Sequence, residues 1–429
     1  MGNGKELYGV HRILTLVREK DSEGGGPCPM RIAMIASCPY DPNQGVCGAT
    51  LGVANGMRGL GATVDTYFMD HYQLFAGGRV DRVLFPWFVA MNRRLLALYD
   101  VLDIASGDAW VLAPILRKPL LVVRSHGLEH IAHKERLMEP SAQYRRLGWH
   151  YHIYGGAYRL WEVGLSLRSA EIAVFLNNMD KAYATSTLGV DPGRSYVVPN
   201  GLDDAFIGRP MNACRLSSHD GVGIAIIGSY INRKGIQYSV PALEAILRKY
   251  SWVKVGFFGT GCPPCVVTRD FSDAVTSRVH VVSSYTRQQL PGLLANYHLQ
   301  VFASLSEGFG MGLVEGMACG LAPIVSDASG PIDIVENNQN GLIVPRRDAA
   351  SIFQAVAALL DNLSTLQLLR ERALASVQGL AWRSIAVKTL EIYRRGMESK
   401  GVGRARLGSR SDNGKEEQEE RRRDAYSPR

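Results

Sequence analysis

Several features that mark large protein classes are missing from this sequence of 429 residues. No run approaches about eighteen consecutive apolar residues, so no membrane-spanning helix is expected. The seven cysteines are odd in number and scattered, which argues against a disulfide framework. Zinc-finger, RNP and homeodomain patterns are absent, and we expect no nucleic-acid partner. The net charge of +8 then favours other anionic partners, such as nucleotide phosphates or acidic lipids.

Both ends of the chain are poor in the apolar residues that a core requires. Residues 1–29 lack an apolar stretch of signal-peptide type and contain a Gly-Gly-Gly-Pro run. We expect a disordered N-terminal extension there, and a cytoplasmic protein. Residues 400–429 are rich in Gly, Ser, Arg and Glu, which predicts a disordered charged tail.

The apolar runs predict two α/β halves of similar style. A buried strand at 31–36, a turn-rich loop, a helix at 49–60 and a strand at 63–68 are typical of the opening of a doubly wound domain. After a polar linker at 212–221 the pattern begins again. Strands are further predicted at 109–112, 120–123, 172–176, 196–198, 222–227, 253–259, 279–282 and 299–302, and a helix at 237–250.

The most informative segment, SLSEGFGMGLVE at 304–315, directly follows the predicted strand at 299–302. It places Glu307 and Glu315 eight positions apart around a glycine-rich turn. The carboxyl ends of strands are where open α/β sheets bind ligands, and small residues let a ligand approach the backbone. We expect Glu307 to lie over the ligand and Glu315 to accept hydrogen bonds from a ribose diol. The loop between them consists of Gly308, Phe309, Gly310, Met311 and Gly312.

A second candidate loop follows the predicted strand at 222–227, where small residues turn the chain and two adjacent cations precede a helix. Two cations and free backbone N–H groups offset the negative charge of a bound diphosphate. They would also stabilise the charge that develops on a diphosphate when it acts as a leaving group. A solvated Arg-Lys pair is the simpler alternative, and the carboxylate segment downstream argues against it. The predicted diphosphate-binding residues are Gly228, Ser229, Arg233 and Lys234.

The segment 304–315 resembles the E-x7-E signature of retaining GT-B glycosyltransferases of family four, or group 1. The runs 315–325, 330–335 and 340–344 follow in the family's order, and 228–235 resembles its diphosphate loop. By this resemblance Glu315 holds the nucleotide ribose and Glu307 lies beside the transferred sugar. Many relatives carry an Arg where this chain has Ser229, so Arg233 and Lys234 would have to neutralise the diphosphate on their own.

The first half carries weaker resemblances to the same family. His126-Gly127-Leu128-Glu129 is similar to its "HG-x-E" turn, which implies that His126 faces the sugar and binds a hydroxyl or helps to manage the acceptor proton. Gly45 and Gly48 resemble its first-domain glycine loop, although the usual glycine pair is split here. A zinc site at His126, His130 and His133 is disfavoured, because Gly127 interrupts the helix that would align them.

The resemblance covers roughly residues 30–398 and implies an α/β protein of GT-B fold, with two Rossmann-like domains whose parallel sheets face across a cleft. The implied boundaries are 30–204 for an acceptor-side domain, 205–383 for a donor-binding domain, and 384–399 for a helix that packs back on the first domain. The implied reaction moves a sugar from a nucleotide diphosphate sugar to an acceptor hydroxyl with retention, in polysaccharide, glycolipid or glycoconjugate biosynthesis. His126 and Glu307 are the implied catalytic residues, and neither a cofactor nor a metal is expected.

Other functions remain as alternatives. A non-catalytic nucleotide-sugar binder or regulatory protein on the same fold is one, and the intact candidate residues count against it. A dehydrogenase needs G-x-G-x-x-G after a strand, and the glycines at 308–312 have the wrong spacing. An epimerase or a phosphorylase is disfavoured by the E-x7-E context. The acceptor stays open among saccharides, lipid-linked saccharides and small molecules.

One stretch leaves two interpretations open. From Tyr144 to Arg168 the sequence interleaves aromatic residues with cations. Such a face is suited to an anionic lipid surface, which would place the protein at the inner face of a membrane. The alternative is a partly buried helix with a few surface arginines.

Overall fold

The computed structural model describes residues 29–72, 79–139, 148, 151–210 and 221–401. Within these residues, twelve strands form two six-stranded sheets, and every pairing is parallel. The predicted extension before residue 29, the predicted linker up to residue 220 and the predicted tail after residue 401 lie outside the described residues.

The first sheet has the strand order β2-β1-β3-β4-β5-β6. Its strands are β1 Arg31–Ala36, β2 Thr63–Phe68, β3 Val101–Ala105, β4 Leu120–Arg124, β5 Ile172–Phe175 and β6 Ser195–Val197. The helices around it are α1 Gly45–Arg58, α2 Arg79–Met91, α3 Arg93–Leu96, α4 Glu129–Leu137, α5 Arg159–Ser169 and α6 Asn178–Thr187, with a π-helical segment at Tyr151–Tyr158. Short 3-10 turns lie at Met69–Tyr72, Pro192–Arg194 and Asp204–Phe206.

The second sheet has the order β12-β11-β10-β7-β8-β9. Its strands are β7 Val222–Ile227, β8 Val253–Phe258, β9 Val279–Val282, β10 Leu299–Phe302, β11 Ala322–Ser326 and β12 Leu342–Val344. Its helices are α7 Ile236–Lys249, α8 Pro264–Thr268, α9 Asp273–Thr276, α10 Leu290–Leu293, α11 Met311–Ala318, α12 Ala349–Asp361 and α13 Leu363–Val377. The 3-10 turns here are Asn232–Lys234, Arg287–Gln289 and Pro331–Asp333.

The central strands are buried on both faces, as expected for parallel sheets covered by helices. Successive side chains of a strand point to opposite faces, so Ile32 and Ala33 belong to different hydrophobic clusters. In the second sheet Ile224 and Ala225 are divided in the same way. The apolar runs that predicted these strands therefore supply two separate cores to each sheet.

Two local predictions were wrong. Residues 109–112 form a turn rather than a strand, and the strand of that region is β3, Val101–Ala105. Asp103 lies in the middle of β3 and interrupts its apolar run, which is why the strand was missed. The fold tolerates this buried carboxylate because it forms an ion pair with Arg124 at 2.7 Å. The first helix begins at Gly45 instead of residue 49, so the predicted glycine loop is the first turn of α1.

A final helix, α14 at 382–401, follows the second domain and packs on the first sheet. Trp382 fits against Gly52 and Gly56 of α1, where any added Cβ would lie within 3 Å of it or of the neighbouring Ala386. Among the described residues, no single helix is long and apolar enough to cross a membrane; α12 and α13 pass that test only as a pair bent by 105°.

Candidate functional site

The two predicted donor loops meet at the carboxyl edge of the second sheet, because β7 and β10 are neighbours there. Lys234 Nζ donates to Glu307 Oε2 at 2.5 Å, and Arg233 Nη1 lies 3.6 Å from the same oxygen. Ser304 Oγ donates to it as well, at 3.3 Å. Burial opposes ionisation of Glu307, but the two cations outweigh that effect, and its pKa lies below the ordinary value. Glu307 is therefore a carboxylate held between cations.

The backbone of the diphosphate loop, residues 228–235, is fixed by close packing against residues 303–306, which lead into the glycine-rich turn. Gly235 has a φ of 71°, and a Cβ there would lie 1.9 Å from the carbonyl oxygen of Ala303, so only glycine fits. Leu305 donates its N–H to the Arg233 carbonyl at 2.8 Å, and Arg233 Nη1 donates to the Ser306 carbonyl at 3.1 Å. The two loops act as one unit.

Gly228 and Ser229 begin this unit at the end of β7. Gly228 has a φ of 132°, and the Lys234 side chain passes over it, since an added Cβ would lie 3.4 Å from the Lys234 Cε. Ser229 is exposed. The structure thus brings together Gly228, Lys234 and Glu307, as the sequence predicted, and leaves Ser229 exposed.

Glu315 lies on α11, one turn from its start, and is 4% exposed. Burial raises its pKa to about 7, partly opposed by Arg287, whose Nε lies 3.7 Å from Oε1. Arg287 also lies 3.6 Å from Asp203 Oδ2. A buried carboxyl with this pKa changes between hydrogen-bond donor and pure acceptor near neutral pH.

The three glycines of the glycine-rich turn differ in what they contact. A Cβ on Gly308 would lie 2.2 Å from the carbonyl oxygen of His126, so this glycine contacts the opposite domain. Gly310 has a φ of 100° and precedes α11. Gly312 packs on Ile227, with 3.0 Å between an added Cβ and its Cγ2.

Two members of the predicted donor loop serve the core instead. Phe309 is 4% exposed and packs in the apolar cluster beneath α11. Met311 packs against that cluster and against the cluster under the final helix. Both side chains therefore help to fix the position of the loop.

His126 follows β4 and lies at the domain boundary. Its pKa is lowered to about 4, chiefly by burial and further by Arg124, while Asp103 opposes the shift. Its Nδ1 is buried and finds no hydrogen-bond partner among the described residues. A neutral imidazole here offers one donor and one acceptor to a ligand. In the described chain no three His, Cys, Asp or Glu side chains converge as a metal site, so the histidines at 126, 130 and 133 do not form one.

The first-domain glycines lie in α1, and one of them reaches the site. Gly45 is exposed at the first helical position. Gly48 is buried, and an added Cβ would lie 2.5 Å from Nη2 of Arg287. Gly48 thus lets α1 approach the arginine that contacts Glu315. Arg287 was missed by sequence reasoning, because it has no motif around it; the turn at 198–203, which contains Asp203, indicates a structural role from sequence rather than a contact with the site.

Direct contacts join the two domains beside these residues. Asn177 is fully buried; its side chain accepts from the Asp180 N–H and donates to the Gly308 carbonyl, both at 2.7 Å. Glu135 of α4 accepts from Arg346 and Arg347 of the second domain, each at 2.8 Å. Arg347 adopts a φ of 64°, which non-glycine residues rarely do.

A cavity of about 740 Å³ lies on the first-domain side of the diphosphate loop. Arg233 and Ser306 form part of its wall, so it adjoins the Glu307 cluster. The first domain supplies most of the other walls, chiefly from α2, α4 and the π-helical segment, including Arg82, Glu129, His133 and Tyr154.

The aromatic and basic stretch at 144–168 is only partly described, since 144–147 and 149–150 lie outside the described residues. Arg159 points inward, where it pairs with Glu129 at 3.1 Å, Glu162 at 3.5 Å and Asp108 at 3.6 Å. Burial raises the pKa of Glu162 to about 7. Trp161 and Arg168 are exposed. Arg159 is therefore a structural cation and does not belong to a surface face.

Residues 221–362 match the model of the family described as glycosyl transferases group 1. The chain is 21% identical over 323 residues to a phosphatidylinositol N-acetylglucosaminyltransferase subunit of Arabidopsis thaliana, covering 73% of this chain and 69% of the relative.

Solved structures share the whole architecture. Sucrose-phosphate synthase from Thermosynechococcus elongatus aligns with a TM-score of 0.72 at 20% identity, over 86% of this chain and 100% of that structure. HepE of Anabaena, in complex with UDP-glucose, aligns with a TM-score of 0.62 at 16% identity, over 84% and 99%. The prediction of a GT-B fold is confirmed.

Proposed function

Because residues 221–362 match the model of the glycosyl transferases of group 1, we propose that the chain transfers a sugar from a nucleotide diphosphate sugar to an acceptor hydroxyl with retention of anomeric configuration. The observation that carries this proposal is the carboxylate of Glu307 held by Lys234 and Arg233, with buried Glu315 on the helix that follows. Cations for a diphosphate, an acid for a ribose and a carboxylate for a sugar lie at one sheet edge.

The diphosphate would lie along the diphosphate loop, where Gly228 leaves room beside Lys234. As the bond between the anomeric carbon and the phosphate oxygen breaks, negative charge develops on the leaving group. Lys234, Arg233 and the backbone N–H groups of the loop stabilise that charge without reorganisation. In this proposal the cations perform the role for which other transferases use a metal ion.

Retention follows if the acceptor attacks the face that the leaving group vacates. The acceptor oxygen forms the new bond to the anomeric carbon, and its proton passes to the departing phosphate oxygen. Glu307, ionised because of its two cations, stabilises the positive charge at the anomeric carbon. Neutral His126, with its free Nδ1, orients a sugar hydroxyl from across the cleft.

The nucleoside would lie towards Glu315 and Arg287. A carboxylate at Glu315 accepts hydrogen bonds from both ribose hydroxyls, and Arg287 fixes its orientation at 3.7 Å. HepE of Anabaena, which shares this fold, was crystallised with UDP-glucose, and that supports a nucleotide sugar as donor.

The acceptor would occupy the cavity of about 740 Å³, since Arg233 belongs both to its wall and to the diphosphate loop. Saccharides, lipid-linked saccharides and small molecules remain candidates, in the service of polysaccharide, glycolipid or glycoconjugate synthesis. The cytoplasmic location expected from the sequence stays a prediction. A non-catalytic nucleotide-sugar binder is the alternative function, and turnover separates the two.

A thermal-shift panel of nucleotide diphosphate sugars, with EDTA present, tests the donor site. At about 100 times the dissociation constant, binding adds roughly 2.7 kcal/mol to the free energy of unfolding. We expect stabilisation by one nucleotide class, strongly reduced in Glu315→Gln and retained in Glu371→Gln, an exposed carboxylate of α13. Stabilisation that is absent, or equal in both variants, would contradict the assignment.

A further inference from the structure

Helix α2, Arg79–Met91, carries apolar side chains on its solvent side as well as on its core side. Phe85 and Val89 are fully buried in the first domain. On the opposite side, an exposed apolar row follows the helical spacing of i, i+4, i+7 and i+11. The row consists of Val80, Leu84, Trp87 and Met91, with exposures of 58%, 37%, 51% and 77%.

This row continues into a band of aromatic rings that leads to the cavity. Trp87 contacts Trp110 with 5.5 Å between ring centroids, and Trp110 contacts Trp161 at 5.0 Å. Trp161 is itself 47% exposed and lies 6.0 Å from Tyr158. Tyr158 stacks on Tyr154, which lines the cavity. The exposed row and the cavity thus belong to one continuous apolar surface.

The exposed charges described on α2 and α3 have one sign. Between residues 79 and 98 the sole acidic residue is Asp81, which is 5% exposed. Arg93 and Arg94 follow the row directly, are exposed, and form no ion pair with any other described residue. Arg82 is exposed at the other end of the helix and lines the cavity.

We propose that the exposed row of α2, with Arg93 and Arg94, docks the first domain on an anionic lipid bilayer. A convex stripe of Trp, Leu, Met and Val flanked by arginines is suited to the boundary between head groups and acyl chains. Trp is favoured at that depth because its ring is apolar and its N–H is polar.

Docking in this orientation has a consequence for the proposed acceptor. Val80 and Val83 of α2 line the cavity, so its mouth would open at the lipid surface. Provided that the proposed transferase function holds, the cavity then receives the head group of an acceptor that stays anchored in the bilayer. A lipid-carried acceptor is the substrate class that this arrangement selects.

Sedimentation with vesicles tests the docking. The vesicles are phosphatidylcholine alone, or phosphatidylcholine with about one third phosphatidylglycerol. The full chain is expected to bind the anionic vesicles more tightly than the neutral ones. Trp87→Ser and Met91→Gln should each weaken binding to both by about tenfold. Arg93→Gln with Arg94→Gln should weaken anionic binding by about thirtyfold and leave neutral binding unchanged.

The final helix supplies matched controls on the other side of the first sheet. Val387→Gln removes an apolar side chain that is 49% exposed, and Arg383→Gln with Arg394→Gln removes two exposed arginines. These variants should bind like wild type. Met91→Gln guards against misfolding at Trp87, because Met91 is the most exposed member of the row.

The docking proposal would be overturned if wild type did not sediment with anionic vesicles, or if the loss of binding were equal in test and control variants. A dimer that dissociates on Trp87→Ser would assign the row to a second copy instead. Donor-induced thermal stabilisation, measured in parallel, separates this proposal from the transferase function. Donor binding without vesicle binding refutes only the docking, and vesicle binding without donor binding refutes only the donor site.

Discussion

Lys234 Nζ lies 2.5 Å from Oε2 of Glu307, although the two residues are 73 positions apart. Their side chains are 17% and 14% exposed, so neither charge is well hydrated. Lys234→Met would leave Glu307 with Arg233 alone, and we expect a loss of up to about 3 kcal/mol in the free energy of unfolding. Donor affinity should fall as well, since the diphosphate loses its buried cation. Urea unfolding and calorimetric titration measure the two effects.

The pair Lys234→Met and Glu307→Gln forms a double-mutant cycle. The stability loss in the double variant should be clearly smaller than the sum of the single losses, because each single variant leaves one charge unpaired. Arg248→Gln, which breaks an exposed pair with Glu244, is the control and should cost less than about 1 kcal/mol. Additive losses at 234 and 307 would show that the two side chains do not interact in solution.

Glu315 predicts a pH dependence of donor binding. Its pKa of about 7 lies above the ordinary value of 4.5, and the carboxylate, not the acid, accepts from both ribose hydroxyls. Donor affinity should therefore rise as the pH increases through about 7, with release of a proton on binding. Titrations in buffers of different ionisation enthalpy detect that proton. Glu315→Gln should bind weakly at every pH, and a pH-independent wild type would contradict this role.

The same shift has a consequence for stability. Between pH 4.5 and about 7 the folded protein keeps a proton on Glu315 that the unfolded chain has released, so this residue lowers the stability as the pH rises. Glu315→Gln removes that penalty. The stability of the variant relative to wild type should grow across this window and level off above pH 7. Chemical denaturation at several pH values checks the trend.

The sequence predicted strands that are rich in apolar and β-branched residues, such as β1, β4 and β7, and the two loops whose residue types match their chemistry. It failed at β3, because Asp103 interrupts the apolar pattern and is tolerated only through its buried pairing with Arg124 and Tyr393 of the final helix. That partner lies 290 positions away, so no local pattern reveals it.

Gly308 predicts a steric effect at the domain boundary. A Cβ there would lie 2.2 Å from the His126 carbonyl oxygen, which belongs to the other domain. Gly308→Ala should push the domains apart and reduce turnover by at least about tenfold, while the fold of each domain persists. Gly379→Ala is the matched control, since nothing lies within 4 Å of its added Cβ. Equal turnover of the two variants would show that this contact is not needed.

The ion pairs of Glu135 with the second domain should also help to hold the two domains together. Its carboxylate accepts from Arg346 and Arg347 across the boundary, each at 2.8 Å. Glu135→Gln should weaken this contact, increase the radius of gyration seen by X-ray scattering, and raise the Michaelis constant for the donor. Glu391→Gln, at an exposed pair within the final helix, should leave both unchanged. An unaltered radius of gyration would mean that other contacts hold the domains together.

Parts of the candidate site could not be predicted from local sequence. Arg287 stands in no motif and belongs to the site through Glu315 and Asp203, which are distant in sequence, while α1 approaches it at Gly48. Phe309 and Met311 lie inside the most informative segment, yet their side chains serve the core. Residue type and spacing predict sites that are built from residues close together in the sequence. Contacts between distant elements are seen only in the folded structure.

The most direct test measures nucleoside diphosphate release from the sugar nucleotide that stabilises wild type, compared with Glu307→Gln. With water in place of the acceptor, wild type is expected to release it slowly and continuously. Glu307→Gln should bind the donor within a few-fold of wild type and release the product at least about a hundredfold more slowly. Wild type without release, or Glu307→Gln with the wild-type rate, would contradict a transferase that uses this carboxylate.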